Sequence, residues 1–181
     1  MKRTLLVTLA LASAFVLAAN AQQKKGPPAT VRSVLLQEMH NTHDKSDWFV
    51  CGNVAVANLT PEQASWTDGK GNHSVGQLAY HLVFWNQRSL ENFQGKTPPK
   101  FGGNNDETFT KFNAQQWNDT VHQLDQVMTD LEKVVTNATD AQLAEWAPTI
   151  ANIATHNAYH IGEIVMVRKE QGVWDASKGV K

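Results

Sequence analysis

Apolar residues recur at spacings of three and four along most of the chain, which is the period of an amphipathic helix. The clearest example runs from Trp117 to Val135, where Leu124 and Leu131 fall on one face. Sustained alternation of apolar and polar residues, the pattern of a half-buried strand, is missing; the nearest match, at 54–57, is short. The hydrophobic pattern therefore predicts an all-α fold.

Helix start and stop signals divide this pattern into four long helices. Ser74 is a suitable N-cap for the second helix, Pro148 suits the first turn of the fourth, and Gly172 is a natural C-terminal cap. Thr60 followed by Pro61 marks the start of a short additional helix. We expect the long helices at about 30–57 with a break near 44–47, at 75–93, at 117–137 and at 148–171. Together they predict a four-helix bundle.

The first 21 residues have the layout of a secretory signal peptide. Two basic residues precede an uncharged run, and Ala19-Asn20-Ala21 supplies the small residues of a cleavage site. A membrane anchor is the alternative, but the apolar core is short for a span of about 20 residues. We therefore predict a signal peptide at 1–21, a flexible leader at 22–29 and one domain at 30–181, exported to the periplasm or secreted, with no membrane anchor after cleavage.

Composition narrows the class of partner. The 181 residues carry 16 Lys and Arg against 17 Asp and Glu, a formal net charge of −1. Because a nucleic-acid surface normally shows as a basic excess, we expect no nucleic-acid partner. The single cysteine, Cys51, excludes an intrachain disulfide and is expected to be buried or paired between chains. A homodimer is compatible with the sequence.

Two of the seven histidines, His156 and His160, are four residues apart in the fourth helix. This spacing places both imidazoles on one face of the helix, one turn apart, so both side chains can bind the same metal ion. His81 borders the apolar stripe of the second helix and can complete a three-nitrogen site with open positions. Such pairs are more often surface or packed histidines, and His81 alone is more often a packed residue, so the spacing leaves both interpretations open.

Two longer motifs resemble a known family. The segment Gly71-Asn72-His73-Ser74-Val75-Gly76-Gln77-Leu78-Ala79-Tyr80-His81-Leu82 resembles the second-helix motif of the DinB family, also called DinB/YfiT-like metalloenzymes. The segment Thr155-His156-Asn157-Ala158-Tyr159-His160-Ile161-Gly162-Glu163-Ile164, with Arg168 after it, resembles the fourth-helix motif. Glu163 stands where glutamine is common in the family, and an exported member is atypical.

The resemblance implies a DinB-type four-helix bundle in which His81, His156 and His160 hold one divalent ion. Zinc and nickel suit imidazole ligands best. The members with known chemistry are thiol S-transferases, isomerases and metal-dependent hydrolases. We therefore expect an enzyme of the hydrolase or thiol S-transferase type, whose metal activates water or a thiol against a small-molecule substrate. The alternative is a non-catalytic metal- or ligand-binding protein of the cell envelope.

Three further residues have predicted places near this site. Glu163 lies on the same helical face as the two histidines, so it can take a proton as catalytic base, orient a ligand ring, or be a plain surface carboxylate. Asn157 falls near the middle of the buried stripe and is expected to form hydrogen bonds inside the bundle. Trp85 either lines the pocket or packs in the core.

Overall fold

The computed structural model describes residues 28–180, and this part of the chain is all-α, with no strand. The all-α prediction is confirmed. The predicted signal peptide and most of the leader at 22–29 lie outside the described residues. The helices are α1 (Val31–His43), α2 (Gly52–Val56), α3 (Pro61–Ser65), α4 (Val75–Phe93), α5 (Glu107–Thr110), α6 (Trp117–Asn137) and α7 (Asp140–Glu170). Short 3-10 turns lie at Ala114–Gln116 and Ala176–Lys178.

Local capping explains why several helices begin where they do. Thr30, Thr60, Ser74 and Thr139 each accept a hydrogen bond from the backbone N–H three residues on, which satisfies a free donor of the first turn. In each case the side chain at that third position accepts a hydrogen bond from the cap residue's own N–H, which completes a capping box. The predicted cap at Ser74 and the predicted span 75–93 are confirmed. The cap thus determines the residue at which α4 begins.

The four long helices pack against one another around two apolar clusters. Helix α4 contacts α6 and α7, and α1 contacts the same two helices. One cluster contains Leu82 and the fully buried Leu124, together with Ile164 of α7. The other contains Leu131 and Ile153. Burial of these side chains provides the main driving force for association of the helices.

The fourth long helix begins earlier than its proline indicates. Helix α7 starts at Asp140, eight residues before Pro148, which lies inside the helix. The prediction that Pro148 opens this helix is wrong. An interior proline removes one backbone hydrogen bond and costs about 3 kcal/mol. The capping box at Thr139 and the burial of Leu143 and Ile150 on either side of the proline offset that cost.

The first helix is shorter than the hydrophobic pattern suggests. Helix α1 ends at His43, and the chain re-enters helical structure only at Gly52, so the expected break near 44–47 extends to residue 51. Cys51 lies at the start of α2 and is fully buried. Of the two expectations for this thiol, burial or pairing between chains, the structure shows burial.

An ionic network with the buried pair His43 and Glu132 at its centre joins the end of α1 to α6. The His43 side chain, only 4% exposed, makes hydrogen bonds to Glu132 at 2.8 Å and to Asp125 at 2.9 Å. His40 lies 3.3 Å from both Asp44 and Glu132. Burial disfavours the charged form of His43. The hydrogen bonds to the carboxylates of Glu132 and Asp125 stabilise that form more strongly, so the pKa of His43 is raised above its usual value. Below this raised pKa, His43 is a buried cation between two carboxylates.

We expect the stability contributed by His43 to decline as the pH rises. A group whose folded-state pKa is raised stabilises the protein fully below its unfolded pKa, about 6.5, and loses that contribution as the pH passes the folded value. His43→Gln should therefore cost roughly 3–5 kcal/mol near pH 6 and less at pH 9, because breaking a buried pair leaves Glu132 without its cation. Urea denaturation of both proteins at each pH measures this difference.

The exposed His122 provides the control for that experiment. His122→Gln should leave the free energy of unfolding nearly unchanged at both pH values. A cost of His43→Gln that is the same at pH 6 and pH 9 would show that His43 acts as a neutral hydrogen-bonding residue and not as a cation.

Within residues 28–180, no helix has both the length and the apolar character required to cross a membrane.

Candidate metal centre

Three histidine side chains from two helices meet at one point. His81 projects from α4, and His156 and His160 project from α7. The Nε2 atom of His156 lies 3.1 Å from Nε2 of His81 and 3.1 Å from Nε2 of His160. Candidate ligand atoms of all three residues lie within 4.8 Å of one another. The structure thus brings together the three residues that were predicted from the sequence as metal ligands.

The spacing of the nitrogen atoms fits a transition-metal ion. Imidazole nitrogens bind Zn²⁺ at about 2.0–2.1 Å, so two ligands at angles between 90° and the tetrahedral value are about 2.8–3.4 Å apart. The observed separations of 3.1 Å fall in that range. This group of three histidines can hold a divalent ion, and nothing in the ligand set distinguishes zinc from nickel.

Hydrogen bonds at the far side of two rings orient the ligand nitrogens. The hydroxyl of Thr108 donates to the carbonyl of Asn105 at 2.7 Å, so its oxygen accepts from Nδ1–H of His81. The carboxylate of Glu163 accepts from Nδ1–H of His160 at 2.7 Å. With the proton held on Nδ1, the lone pair of each Nε2 faces the common point. Such outer partners are a regular feature of metal-ligating histidines.

Burial keeps two of the rings neutral. It lowers the pKa of His81 to about 3, and the neighbouring His160 and His156 lower it further in the same direction. Burial lowers the pKa of His156 to about 4, and the neighbouring His160 ring acts in the same direction. A ligating imidazole must be unprotonated, so at neutral pH these two nitrogens are ready to bind a metal without first losing a proton.

A pair of buried amides ties the two ligand-bearing helices together. Asn86 of α4 donates to Asn157 of α7 at 2.9 Å, and Asn157 donates back at 3.2 Å. Asn86 also donates to the carbonyl of Leu82 at 2.8 Å. Asn157 thus forms hydrogen bonds inside the bundle, as expected. Because both amides are buried and paired, they resist sliding of α4 against α7 and hold His81 in register with the other two histidines.

A cavity of about 450 Å³ opens directly onto the three histidines. Trp85 lines it together with the buried Phe109 and Ile153, so Trp85 is a pocket residue. Phe109 stacks on the ring of His81 at 3.9 Å between centroids. A cavity of this size matches small-molecule sites in general. The metal-ligand group therefore lies on the wall of a ligand-sized cavity.

Glu163 does not face this cavity. Its carboxylate lies behind His160 and lines a separate cavity with Tyr159 and His73. The geometry supports orientation of a ligand ring, one of the three roles open to Glu163 on the sequence.

Other polar residues of the two motifs have structural contacts. Arg168 is buried and donates to the carbonyl of Ala55 at 2.6 Å, with its guanidinium 5.2 Å from the ring of Trp174. His73 stacks on Phe109 from the side opposite His81. Arg168 thus binds the backbone of α2, His73 packs behind Phe109, and neither residue belongs to the group of three candidate ligands.

Sequence reasoning missed Thr108, Phe109 and Asn86. Thr108 and Phe109 belong to α5, a helix of four residues inside the segment between α4 and α6. A single turn has no measurable apolar period, so no pattern in the sequence marks it. Asn86 falls five residues after His81 on a strongly amphipathic helix, where a polar residue on the buried face is the only signal available.

The chain belongs to the DinB superfamily, whose family model matches residues 53–164. The matched region contains all three histidines, the amide pair and the cavity-lining residues. The family predicted from the two motifs is therefore confirmed. No curated protein and no solved structure gives a significant match to the chain.

Proposed function

We propose that this protein is a metal-dependent enzyme that activates water or a thiol against a small-molecule substrate. The observation that carries the proposal is the convergence of three Nε2 atoms at the wall of a ligand-sized cavity. A structural metal site is normally closed by a fourth protein ligand, whereas a catalytic site keeps a position open. Among the described residues, no fourth His, Cys, Asp or Glu joins this group.

His81, His156 and His160 would hold the ion, zinc or nickel by the chemistry of imidazole. A bound divalent ion acts as a Lewis acid and lowers the pKa of a coordinated water or thiol toward neutrality. Because all three ligands are neutral imidazoles, the protein leaves the full charge of the ion available for this purpose.

The remaining residues bind and position. Thr108 and Glu163 fix the tautomers of His81 and His160, which keeps the ligand lone pairs aimed at one point. Trp85, Phe109 and Ile153 give the substrate an apolar wall beside the ligands and displace water from it. Both hydrolysis and thiol transfer are compatible with this division of roles.

Turnover of model substrates tests the proposal. Protein loaded with Zn²⁺ or Ni²⁺ should hydrolyse a neutral activated ester, or join a small thiol to an electrophile, and His160→Ala should abolish either reaction. His122→Ala removes an exposed histidine outside the site and should retain the activity. Stoichiometric metal without turnover in either screen would favour the alternative, a non-catalytic metal- or ligand-binding protein of the cell envelope.

We also propose that the protein acts outside the cytoplasm. The support is the Ala19-Asn20-Ala21 site after an uncharged apolar core. The mature chain recovered from the periplasm or medium should then begin at or near Gln22, and intact-mass measurement determines its first residue. A recovered chain that still carries residues 1–21 would contradict export by this route.

A further inference from the structure

The cavity beside the three histidines has a distinctive charge pattern. Apart from the histidines, its lining consists of apolar and neutral polar side chains: Trp85, Asn86, Ser89, Asn105, Phe109, Thr149, Asn152 and Ile153. None of these described lining residues is Lys, Arg, Asp or Glu. In a chain with 33 such residues, the site is thus lined without a single fixed charge.

Charged side chains nearby face elsewhere. Arg88, three residues after Trp85, lines a different cavity together with Lys100 and Lys111. The carboxylates of Glu163 and Glu170 line a third cavity. The same two ligand-bearing helices therefore carry charge on other faces and leave the face beside the three histidines neutral.

We infer that the substrate of this site is an uncharged molecule with an apolar group. This inference rests on the proposed function and names its substrate class. Beyond the group that binds the metal, a carboxylate, phosphate or ammonium group placed against Trp85 and Ile153 would lose its hydration, and no lining side chain would compensate its charge. An apolar group gives up no favourable hydration at this position, and its transfer out of water lowers the free energy of binding.

Neutral polar groups at the rim of the cavity can orient the bound substrate through hydrogen bonds. Asn105, Thr149 and Asn152 are exposed where they line the cavity, so their amide and hydroxyl groups are open to hydrogen bonds from a ligand. Asn86 is committed to Asn157 and Leu82, and the hydroxyl of Ser89 donates to the carbonyl of Trp85 at 3.0 Å. The available groups suit an amide, ester or hydroxyl group at the outer end of the ligand.

Matched hydroxamate probes separate charge from metal binding. Benzohydroxamic acid, its para-carboxylate and its para-aminomethyl analogue share one metal-chelating group and differ in the charge at the far end of the ring. Isothermal titration against the Zn²⁺-loaded chain should show the uncharged probe binding at least about tenfold more tightly than either charged analogue. Titration reports binding and does not depend on turnover.

Two lysine variants test whether the cavity lining causes the preference. Asn152→Lys places a cation in the lining and should improve binding of the para-carboxylate probe by about tenfold. Ala151→Lys adds the same charge at the neighbouring exposed position, which does not line the cavity, and should change binding of that probe by less than about threefold.

The outcomes distinguish this inference from the proposed function. Metal content, measured first, tests the three-histidine site alone, and a chain that takes up no Zn²⁺ overturns both. With one Zn²⁺ per chain, equal affinity for the three probes, or tighter binding of a charged probe, overturns the neutral-substrate inference and leaves the metal site standing. An equal response to Asn152→Lys and Ala151→Lys would overturn it as well.

Discussion

Replacing His81, His156 or His160 by alanine should remove most of the bound metal. The three Nε2 atoms converge on one point, and two imidazoles hold an ion far less tightly than three. The expected content falls from one divalent ion per chain in the unaltered protein to well below half of that in each variant. Elemental analysis after dialysis against metal-free buffer measures the change, and circular dichroism confirms that each variant is folded.

His122→Ala is the matched control for these variants, because this histidine is exposed on α6. It should retain the full metal content. If a folded His81→Ala or His156→Ala protein kept one ion per chain, the ion would be held elsewhere, and the enzymatic proposal would lose its foundation.

Truncating Leu124 to alanine should destabilise the fold by roughly 2–5 kcal/mol, as buried leucine truncations do. Leu124 is fully buried in the cluster shared by α4, α6 and α7, so the cavity left behind has no solvent to fill it. Urea denaturation followed by circular dichroism gives the change in the free energy of unfolding.

The exposed Gln123 on the same helix offers a control, since Gln123→Ala should change the free energy of unfolding by less than about 0.5 kcal/mol. Equal stability of Leu124→Ala and the unaltered chain would mean that α6 packs through a different face from the one assigned to it.

The long helices could be predicted because their signals are local. The period of apolar residues identified α6, and Ser74 as a suitable N-cap located the first turn of α4 to the residue. The three ligands were also accessible from sequence, because a spacing of four residues puts His156 and His160 on one face of any helix. His81 was a candidate because it borders the apolar stripe of another helix, and the family motif then assigned it to the same site, since no local spacing connects it to the other two.

Where the sequence misled, packing outweighed a local preference. Pro148 is a strong signal for a first turn, yet the cap at Thr139 and the buried Leu143 and Ile150 extend α7 through it. The apolar residues before and after 44–51 share a helical pattern, but α1 ends at His43, which bonds to Glu132 and Asp125 of α6. Each exception depends on contacts between residues that are distant in the chain.

The sequence by itself determined the all-α class, the family, most boundaries of the long helices and the three metal-ligand candidates, since periodicity, caps and motifs are properties of short segments. Only the tertiary structure decided how the site is completed. Thr108 approaches His81 from a separate one-turn helix, and Asn86 meets Asn157 across two packed helices. The neutral lining of the cavity likewise exists only after packing, because it depends on which faces of α4 and α7 turn toward each other.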